Sequence, residues 1–459
     1  MIKEGYSTDG EKKAQELVEM VETGPRKPKG RIASGIIVGL CFAWSVFQLF
    51  YAQNPSGFRF SMETPFSFSL DFSLDSFRAR SWHLGFAIAL VFLAFPAYNQ
   101  HEKPFFVRWW HAAFPFLKPK RSLREYVPVV DWLLAGVSSS LALYIWYNYD
   151  DIIMRGGLPE NYEIWLGAAL IILLLEAARR CLGIALPIIA AVFLAYNLLG
   201  SYMPEFLRHS ADNVILVMAS QYVATDGIFG VPLKVSAEFV FLFVLFGSLL
   251  EKAGAGKFFI DIAFALMGRF RGGPAKAAVL ASGMNGLVSG SSIANTVTTG
   301  TFTIPLMKKV GLPDYKAGAV EVAASTNGQL MPPIMGAAAF IMAETIGIPY
   351  IDVVRAAFIP AVVSYIALFF VVHLEAMKLG IKSVPKAELP PLISTFLRGI
   401  HYLIPVIILI SYLVILRRSA ITSCLLALES IAVIMLVQRP IKAWFAFGIL
   451  KETGQISAY

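Results

Sequence analysis

The sequence predicts an all-α integral membrane protein, and three observations support this fold class. Of the 459 residues, 57% are hydrophobic and only 15% are charged, whereas soluble domains carry about 25% charged residues. The mean hydropathy is +0.64. The apolar residues also form separate long runs, and at about 20 residues per span we expect about ten transmembrane helices and one re-entrant helical hairpin.

Basic residues flank the apolar runs and predict how the chain is oriented. The chain has 39 basic and 31 acidic residues, giving a net charge of +8. Cytoplasmic loops of membrane proteins are rich in Lys and Arg, so we expect residues 1–31 to form a cytoplasmic N-terminal segment and loop 100–126 to be cytoplasmic. The excess of basic residues therefore indicates a lipid bilayer as the partner and no nucleic acid.

The first part of the chain, 32–233, predicts a membrane region with connecting loops. Its spans are expected at 32–52, 82–98, 127–149, 164–178 and 182–202. The segment 53–81 is polar and carries many aromatic residues. It is expected to be an outside loop that lies against the membrane interface.

A second region, 234–416, contains most of the irregular features. Spans are expected at 235–250, 317–346, 351–374 and 400–416, and a further one at 420–437. The stretch 282–305, SGMNGLVSGSSIANTVTTGTFTIP, is rich in Gly, Ser, Thr and Asn. Basic residues precede and follow it, which places both of its ends on one side. We therefore expect a re-entrant hairpin over 276–307 with its turn near 287–292.

The predicted span 317–346 is interrupted by STNGQLMPPIMG at 325–336. Gly and two prolines inside a span break the helix and free backbone carbonyls. This is the second irregular element at membrane depth, where such backbone is tolerated only inside protein or beside a cavity.

The pattern of reactive side chains argues against an enzyme. GAGK at 254–257 lacks the spacing of a phosphate-binding loop, and VSGSS at 288–292 has no strand–helix context for a nucleophile elbow. The three cysteines and six histidines show no disulfide or metal-ligand spacing. No cofactor is expected.

A cation site is predicted where the hairpin turn and the helix break supply oxygen atoms. Hard cations take oxygen ligands, which backbone carbonyls, hydroxyls and amides can provide. The candidate ligands are Asn285, Ser289, Gly290, Ser291, Asn295, Asn327, Gly328 and Met331. Close helix packing by small residues is the alternative explanation for the hairpin composition. The second break nearby favours the site.

Carboxylates near the spans are the remaining candidates, namely Glu176, Glu321, Glu344 and Glu375. Most lie within a turn or two of a predicted span end, so structural or interfacial roles are expected, with Glu344 left open. Glu176 has Arg179 and Arg180 at helical spacing and is expected to pair with one of them.

The motifs SGSSIAN at 289–295 and GQLMPPIMG at 328–336, together with EAARRCLGIALPIIAAVFLAYNLLG at 176–200, resemble one known family. It is that of the tripartite ATP-independent periplasmic (TRAP) transporters of the TAXI type, in which a small and a large membrane subunit are fused. The resemblance implies an elevator-type permease in a bacterial or archaeal inner membrane, coupled to Na⁺. It also implies a periplasmic TAXI-type binding protein as partner and a small organic acid as substrate. The expected substrate-binding residues are Ser292, Asn295, Thr298 and Thr299.

One departure from the family pattern concerns the C-terminal part. The family repeats the hairpin and broken helix in a second half with a GMGLPT-like signature, which is not found here. Residues 417–459 are therefore expected to be divergent or truncated. This leaves a truncated, non-transporting membrane scaffold, or one piece of a split permease with a separate second-half polypeptide, as the alternative function.

Overall fold

The computed structural model describes residues 26, 28–54, 58–63, 69–97, 125–210, 213–385 and 389–453. Most of the predicted cytoplasmic segment 1–31 and of the basic loop 100–126 lies outside these residues. The described chain divides into two compact units, with the boundary between Ala237 and Glu238. They are called the N-terminal unit and the C-terminal unit.

The N-terminal unit consists of helices and one short β-hairpin. Its helices are α1 Arg31–Gln53, α2 Ser76–Ala94, α3 Val129–Tyr147, α4 Tyr149–Met154, α5 Asn161–Leu182, α6 Ala185–Leu199, α7 Val214–Met218 and α8 Val231–Val235. The strands β1 Phe58–Glu63 and β2 Ser69–Leu74 pair antiparallel, with Phe60 opposite Phe72. They lie within the segment predicted to be a loop. In both strands apolar residues alternate with polar ones, a period of two that is typical of a β-strand.

Helices α2, α3 and α5 form the core of the N-terminal unit. Phe92, Ile145 and Leu170 are fully buried and belong to one apolar cluster. Tyr222 is also fully buried, and its hydroxyl donates to the carbonyl of Leu141 at 2.9 Å. A buried phenol needs such a partner, so this bond fixes the segment after α7 against α3.

A buried ionic network crosses the same unit. Asp131 is 3% exposed and accepts hydrogen bonds from Arg26 and, at 2.8 Å, from Arg180. Arg180 also donates to Glu176 at 2.8 Å, and Arg179 donates to Glu176 at 2.7 Å. The predicted pairing of Glu176 is confirmed, with both arginines instead of one. The buried Asp131 and the half-buried Glu176 are thus both paired with arginines.

A second carboxylate of this unit lies at the start of α5, before the predicted span. Glu163 accepts hydrogen bonds from Arg155 at 2.8 and 3.0 Å, from Tyr144 at 2.7 Å and from the backbone N–H of Glu160 at 2.7 Å. Burial raises the pKa of the Glu163 carboxyl, but these hydrogen bonds outweigh burial and hold its pKa below the usual value.

The C-terminal unit consists of helices joined by turns and irregular segments, with no strand among its described residues. Its helices are α9 Phe241–Ala253, α10 Ala255–Met267, α11 Gly273–Ser289, α12 Ser292–Lys309, α13 Asp314–Gly328, α14 Ala337–Ile346, α15 Tyr350–Lys378, α16 Leu392–Gly399, α17 Leu403–Ile410 and α18 Ala420–Thr453. Helices α11, α12, α13 and α15 pack around small buried residues such as Ala278, Ala317 and Ala324. Small side chains let these backbones approach closely.

Seven segments in the described residues are long and apolar enough to cross a membrane. They are Arg31–Gln53, Val129–Tyr147, Ala185–Tyr202, Val231–Ala253, Tyr350–Lys378, Leu392–Ile415 and Ala420–Gln438. Each overlaps a predicted span, so the all-α membrane class is confirmed. The predicted spans 82–98 and 164–178 coincide with α2 and α5, which are helical but fall outside this set. The span 317–346 is divided between α13 and α14.

Candidate functional site

Helices α11 and α12 form the predicted hairpin. The turn between them is Gly290–Ser291, inside the expected interval 287–292. Gly290 adopts a φ of +59°, a left-handed conformation that Gly reaches without steric cost. The hydroxyl of Ser291 then caps α12 by accepting from the N–H of Ala294 at 3.3 Å. The two helices therefore form a helical hairpin with a short polar tip.

The hairpin packs directly against the helix break. A Cβ added to Gly286 would lie 2.6 Å from the Cα of Gly328, and a Cβ added to Gly290 would lie 2.5 Å from the carbonyl oxygen of Met335. The Gln329 amide donates to the Ser292 hydroxyl at 2.9 Å. The two irregular elements predicted from the sequence therefore meet, and glycines at both contacts permit this approach.

The break itself runs from the end of α13 to the start of α14. The carbonyls of Asn327 and Gly328 accept hydrogen bonds from the N–H groups of Leu330 and Met331 at 3.0 and 3.1 Å. In the described part of the chain, the carbonyl of Met331 accepts no hydrogen bond. The chain leaves the helical path here, and neither Ile334 nor Met335 donates to this oxygen, so the carbonyl of Met331 is free.

Two asparagines lie deeper in the hairpin. Asn285 is 5% exposed and Asn295 is fully buried. The Asn285 amide donates to Oδ1 of Asn295 at 3.0 Å, and the Asn295 amide donates to the carbonyl and hydroxyl oxygens of Ser282 at 2.8 and 3.1 Å. This chain of bonds ties the two arms of the hairpin together.

The most buried polar group in the hairpin region is the Glu321 cluster, made of Ser282, Thr299, Thr303, Glu321 and Ser325. All five residues are 0–1% exposed. Oε2 of Glu321 accepts from the Thr303 hydroxyl at 2.5 Å. Oε1 accepts from Thr299, and from Ser282 and Ser325 at 3.3 and 3.4 Å. Three helices, α11, α12 and α13, thus aim hydroxyls at one carboxyl group.

The candidate residues separate into three groups. Asn285, Asn295 and Thr299 are buried and connect to the Glu321 cluster. A second group lies at the tip of the hairpin or at the break: Ser289, Gly290, Ser291, Ser292, Gly328 and Met331. Asn327 is half-buried beside them. Thr298 points elsewhere, because its hydroxyl donates to the exposed Glu251 at 3.1 Å. The predicted substrate set therefore does not converge on one point.

Glu321 and Gln329 are the polar residues that sequence reasoning missed. A structural or interfacial role was expected for Glu321, and its side chain is fully buried inside the protein. A signal was present in the spacing. Asn295, Thr299 and Thr303 recur every four residues on α12, as Glu321 and Ser325 do on α13. Residues four apart share a helix face, so two polar faces could have been expected to meet.

The described residues at the hairpin tip and the break offer carbonyl and hydroxyl oxygens as possible cation ligands, without a cluster of His, Cys, Asp or Glu. Within the ranges that the structure describes, no three His, Cys, Asp or Glu residues come together in a metal-binding arrangement. At the tip and the break, the oxygen atoms that a cation could reach include the carbonyls of Gly328 and Met331. The hydroxyl of Ser289 is another, and its hydrogen bond to the Ser291 carbonyl is long, at 3.5 Å. Oxygen atoms of these kinds are the ligands that hard cations take in proteins.

Comparison with known proteins gives a family match over most of the chain. Residues 169–459 match the family model described as tripartite ATP-independent periplasmic transporter, DctM component. The match begins within the region 32–233 and includes 417–459. It confirms the resemblance to TRAP transporters, while the TAXI type stays a prediction.

Curated relatives are similar over a shorter stretch. The C4-dicarboxylate TRAP transporter large permease protein DctM of Pseudomonas aeruginosa is 26% identical over 168 residues, 37% of this chain and 39% of that protein. The 2,3-diketo-L-gulonate TRAP transporter large permease protein YiaN of Escherichia coli is 25% identical over 168 residues, 36% of this chain and 39% of that protein. The sialic acid TRAP transporter permease protein SiaT of Haemophilus influenzae is 30% identical over 156 residues, 34% of this chain and 25% of that protein. The chain thus spans about two fifths or less of the length of these relatives.

Proposed function

The chain belongs to the family of the DctM component of the tripartite ATP-independent periplasmic transporters, and we propose that it is the membrane permease of a Na⁺-coupled importer of organic acids. The observation that carries this proposal is the contact between the hairpin turn and the helix break. Discontinuous helices near the membrane midplane form the ion and substrate sites of many secondary transporters. Here two such elements touch through Gly286, Gly290 and Gly328.

The residues at this contact fit a Na⁺ ion. The carbonyls of Gly328 and Met331, with the oxygens of Ser289, Ser291 and Asn327, would hold it. Bound Na⁺ would supply the coupling charge. The protein would position these oxygens at the turn and the break, whose close approach the glycines permit. The buried Asn285 and Asn295 would support the hairpin arms from behind instead of binding the ion.

Substrate and partner are inferred from the relatives and motifs. The relatives from Pseudomonas aeruginosa and Escherichia coli are named for a C4-dicarboxylate and for 2,3-diketo-L-gulonate, both organic acids. We propose a small carboxylate as substrate, delivered by a periplasmic binding protein of the TAXI type. Ser292 and Gln329, which bond at the exposed tip, are the polar pair best placed to meet it. The chain would work as an elevator in the inner membrane with its N-terminus in the cytoplasm.

Na⁺ binding can be measured on the purified chain. A ligand that binds only the folded state stabilises it by RT ln(1 + [L]/Kd), so the unfolding temperature rises with ligand concentration. We expect NaCl to stabilise the chain more than KCl at the same ionic strength. Ser289→Ala should reduce the difference between the two salts, whereas Ser140→Ala, at an exposed serine that bonds only its own helix at 2.9 Å, should leave it unchanged. Equal stabilisation by the two salts would contradict the Na⁺ site.

Transport is tested by uptake into proteoliposomes. The full chain is reconstituted together with a TAXI-type binding protein loaded with a radiolabelled dicarboxylate. Uptake that requires an inward Na⁺ gradient supports the proposal. No uptake, in a preparation that still shows Na⁺-specific stabilisation, favours the membrane scaffold or one piece of a split permease. Uptake that persists without Na⁺ overturns the coupling ion.

A further inference from the structure

The Glu321 carboxyl has an unusual set of partners for a fully buried acid. It is in none of the ion pairs of the described residues, and its hydrogen-bond partners are four hydroxyl groups. Transfer of an unpaired charge from water to protein interior is costly, and such groups commonly become neutral instead. Neutral donors can solvate an ionised carboxyl, but they leave its charge unbalanced.

Hydrogen counting shows that the cluster accepts either protonation state. A hydroxyl has one hydrogen to donate. The Thr303 hydroxyl lies within bonding distance of both Oε2 of Glu321, at 2.5 Å, and the carbonyl of Thr299, at 3.0 Å. The Thr299 hydroxyl likewise lies near Oε1 of Glu321 and, at 2.7 Å, the carbonyl of Asn295. Each threonine therefore has one hydrogen and two acceptors.

Both states are consequently satisfied without moving a heavy atom. When Glu321 is ionised, both threonines donate to the carboxylate. When it is protonated, Oε2–H donates to the Thr303 hydroxyl, whose own hydrogen turns to the carbonyl of Thr299. When the proton is taken up, the hydrogen bond between Oε2 and Thr303 reverses its direction, and every polar group of this pair keeps a partner.

We propose that Glu321 is a proton-binding site, which takes up and releases one proton within the packed helices α11, α12 and α13. The ligand is H⁺ and not a metal ion, because hydroxyls occupy direct hydrogen-bonding positions on both carboxyl oxygens. A metal would have to replace these bonds with coordination to the same atoms. The site is separate from the carbonyl-rich tip and break, and it does not depend on the proposed transport function.

The lysines of the packed helices either have partners other than Glu321 or, like Lys309 and Lys378, are exposed. Lys276 of α11 lies 3.0 Å from His373 of α15, and Lys308 of α12 pairs with Asp314 of α13 at 2.9 Å. Lys316 of α13 pairs with Glu375 of α15. The titratable group that faces the cluster most closely is Tyr365 of α15, whose hydroxyl donates to the carbonyl of Ala324 at 2.9 Å. No cation from these helices compensates Glu321.

The proton would be sensed at the hairpin through hydrogen bonds. Ser282 bonds to Glu321 and to Ser325 and also accepts from the Asn295 amide. Asn295 in turn accepts from Asn285 on the opposite arm. Two further hydrogen bonds therefore connect the Glu321 carboxyl, through Ser282, to both arms of the hairpin.

Infrared difference spectroscopy on the full chain tests the proposal, because the C=O stretch of a protonated carboxyl is separate from that of a carboxylate. A pH titration in lipid should show one buried carboxyl band that appears on acidification. Glu321→Gln should remove this band. Glu251→Gln should retain it, since Glu251 also accepts a threonine hydroxyl but is exposed.

A second variant covers the case in which Glu321→Gln does not fold. Thr303→Val removes the hydroxyl at Oε2 and keeps the carboxyl. Hydrogen bonds to ionised groups are stronger than those to neutral ones by about 1 kcal/mol, so the titration midpoint should move up by about 1 pH unit. The proposal is overturned if no band titrates while the protein remains folded, if the band survives in Glu321→Gln, or if it responds to Na⁺ at constant pH but not to pH.

Discussion

The two units solvate their buried carboxylates in opposite ways. In the N-terminal unit, the buried Asp131 is held by Arg26 and Arg180, and the half-buried Glu176 beside it by Arg179 and Arg180. In the C-terminal unit, Glu321 is held by hydroxyls alone. A carboxylate between two guanidinium groups balances buried cations, which would be left unpaired without it. A carboxyl among hydroxyls can change its charge. The first arrangement suits a fixed scaffold and the second a part that responds to ligand.

The largest expected effect comes from removing the charge of Asp131, which lies between Arg26 and Arg180. Asp131→Asn keeps the shape of the side chain but leaves Arg26 and Arg180 without their shared anion. Breaking a buried ion pair in this way costs about 3–5 kcal/mol. Thermal unfolding in detergent, compared with wild type, measures the loss.

The matched control for Asp131 is an exposed ion pair in the same unit. Asp150 pairs with Arg78 at 2.7 Å, and the Asp150 side chain is 75% exposed. Exposed pairs contribute about 0–1 kcal/mol, so Asp150→Asn should be almost neutral. Similar losses for the two variants would show that the buried network does not stabilise the unit.

The next largest effect should come from the backbone contact between hairpin and break. Gly286→Ala would place a methyl group 2.6 Å from the Cα of Gly328. Overpacking of this kind costs about 1–3 kcal/mol, and the displaced turn should also lose Na⁺-specific stabilisation.

A glycine in the N-terminal unit provides the contrast. A Cβ at Gly136 in α3 would meet nothing within 4 Å, so Gly136→Ala should stabilise the helix by up to about 1 kcal/mol. Opposite signs for the two substitutions would confirm that tight backbone packing is specific to the hairpin region. Equal signs would remove this difference between the units.

A smaller effect is expected from the pH dependence of Glu163. Its folded pKa is lowered by Arg155, Tyr144 and the Glu160 N–H against the opposing effect of burial. Its contribution to stability is therefore complete above the ordinary carboxyl pKa of about 4.3 and is lost as pH falls through the lower folded pKa. Glu163→Gln should remove this acid-sensitive stability, which is about 1.4 kcal/mol for each unit by which the folded pKa is lowered.

The measurement for Glu163 is the unfolding temperature as a function of pH. Glu160→Gln is the control, because Glu160 contacts the same arginine at 3.1 Å but is 53% exposed. Parallel acid profiles for wild type and Glu163→Gln would mean that the ion pair is not a source of pH dependence.

The smallest change in stability should follow Glu321→Gln, which replaces a carboxyl by an amide just as Asp131→Asn does. Glu321→Gln resembles the protonated acid in shape and can donate to Thr303, so we expect it to stay within about 1 kcal/mol of wild type. Unfolding curves of Asp131→Asn and Glu321→Gln under one condition give the comparison directly. A loss at Glu321 as large as that at Asp131 would show that Glu321 is held permanently ionised.

The sequence was most informative where local chemistry decides the structure. The turn at Gly290 and the break before Ala337 follow from glycine, proline and small polar residues, which act on their immediate neighbours. The pairing of Glu176 with Arg179 and Arg180 follows in the same way from helical spacing. These features require no knowledge of tertiary packing.

Partners far apart in the chain were not predictable from one sequence. Asp131 meets Arg26 across 105 residues, and Glu321 meets Ser282 across 39. Glu321 lies near the end of an apolar stretch, and hydropathy therefore placed it at an interface. Only the packing of α11, α12 and α13 reveals that this end is buried. The two strands were missed for another reason, since their period-two alternation is short and lies among aromatic residues.

The paired acceptors around the two threonines also have a consequence for rate. Reorienting a hydroxyl is a rotation about a single bond, of the kind that takes picoseconds to nanoseconds for small groups, whereas rearrangement of packed helices takes microseconds or longer. The Glu321 cluster can thus adjust to a new proton long before the hairpin moves. The time that Glu321 needs to exchange its proton should therefore be set by how often a water molecule reaches this buried site. The rate of proton exchange would then report how often the surrounding helices open.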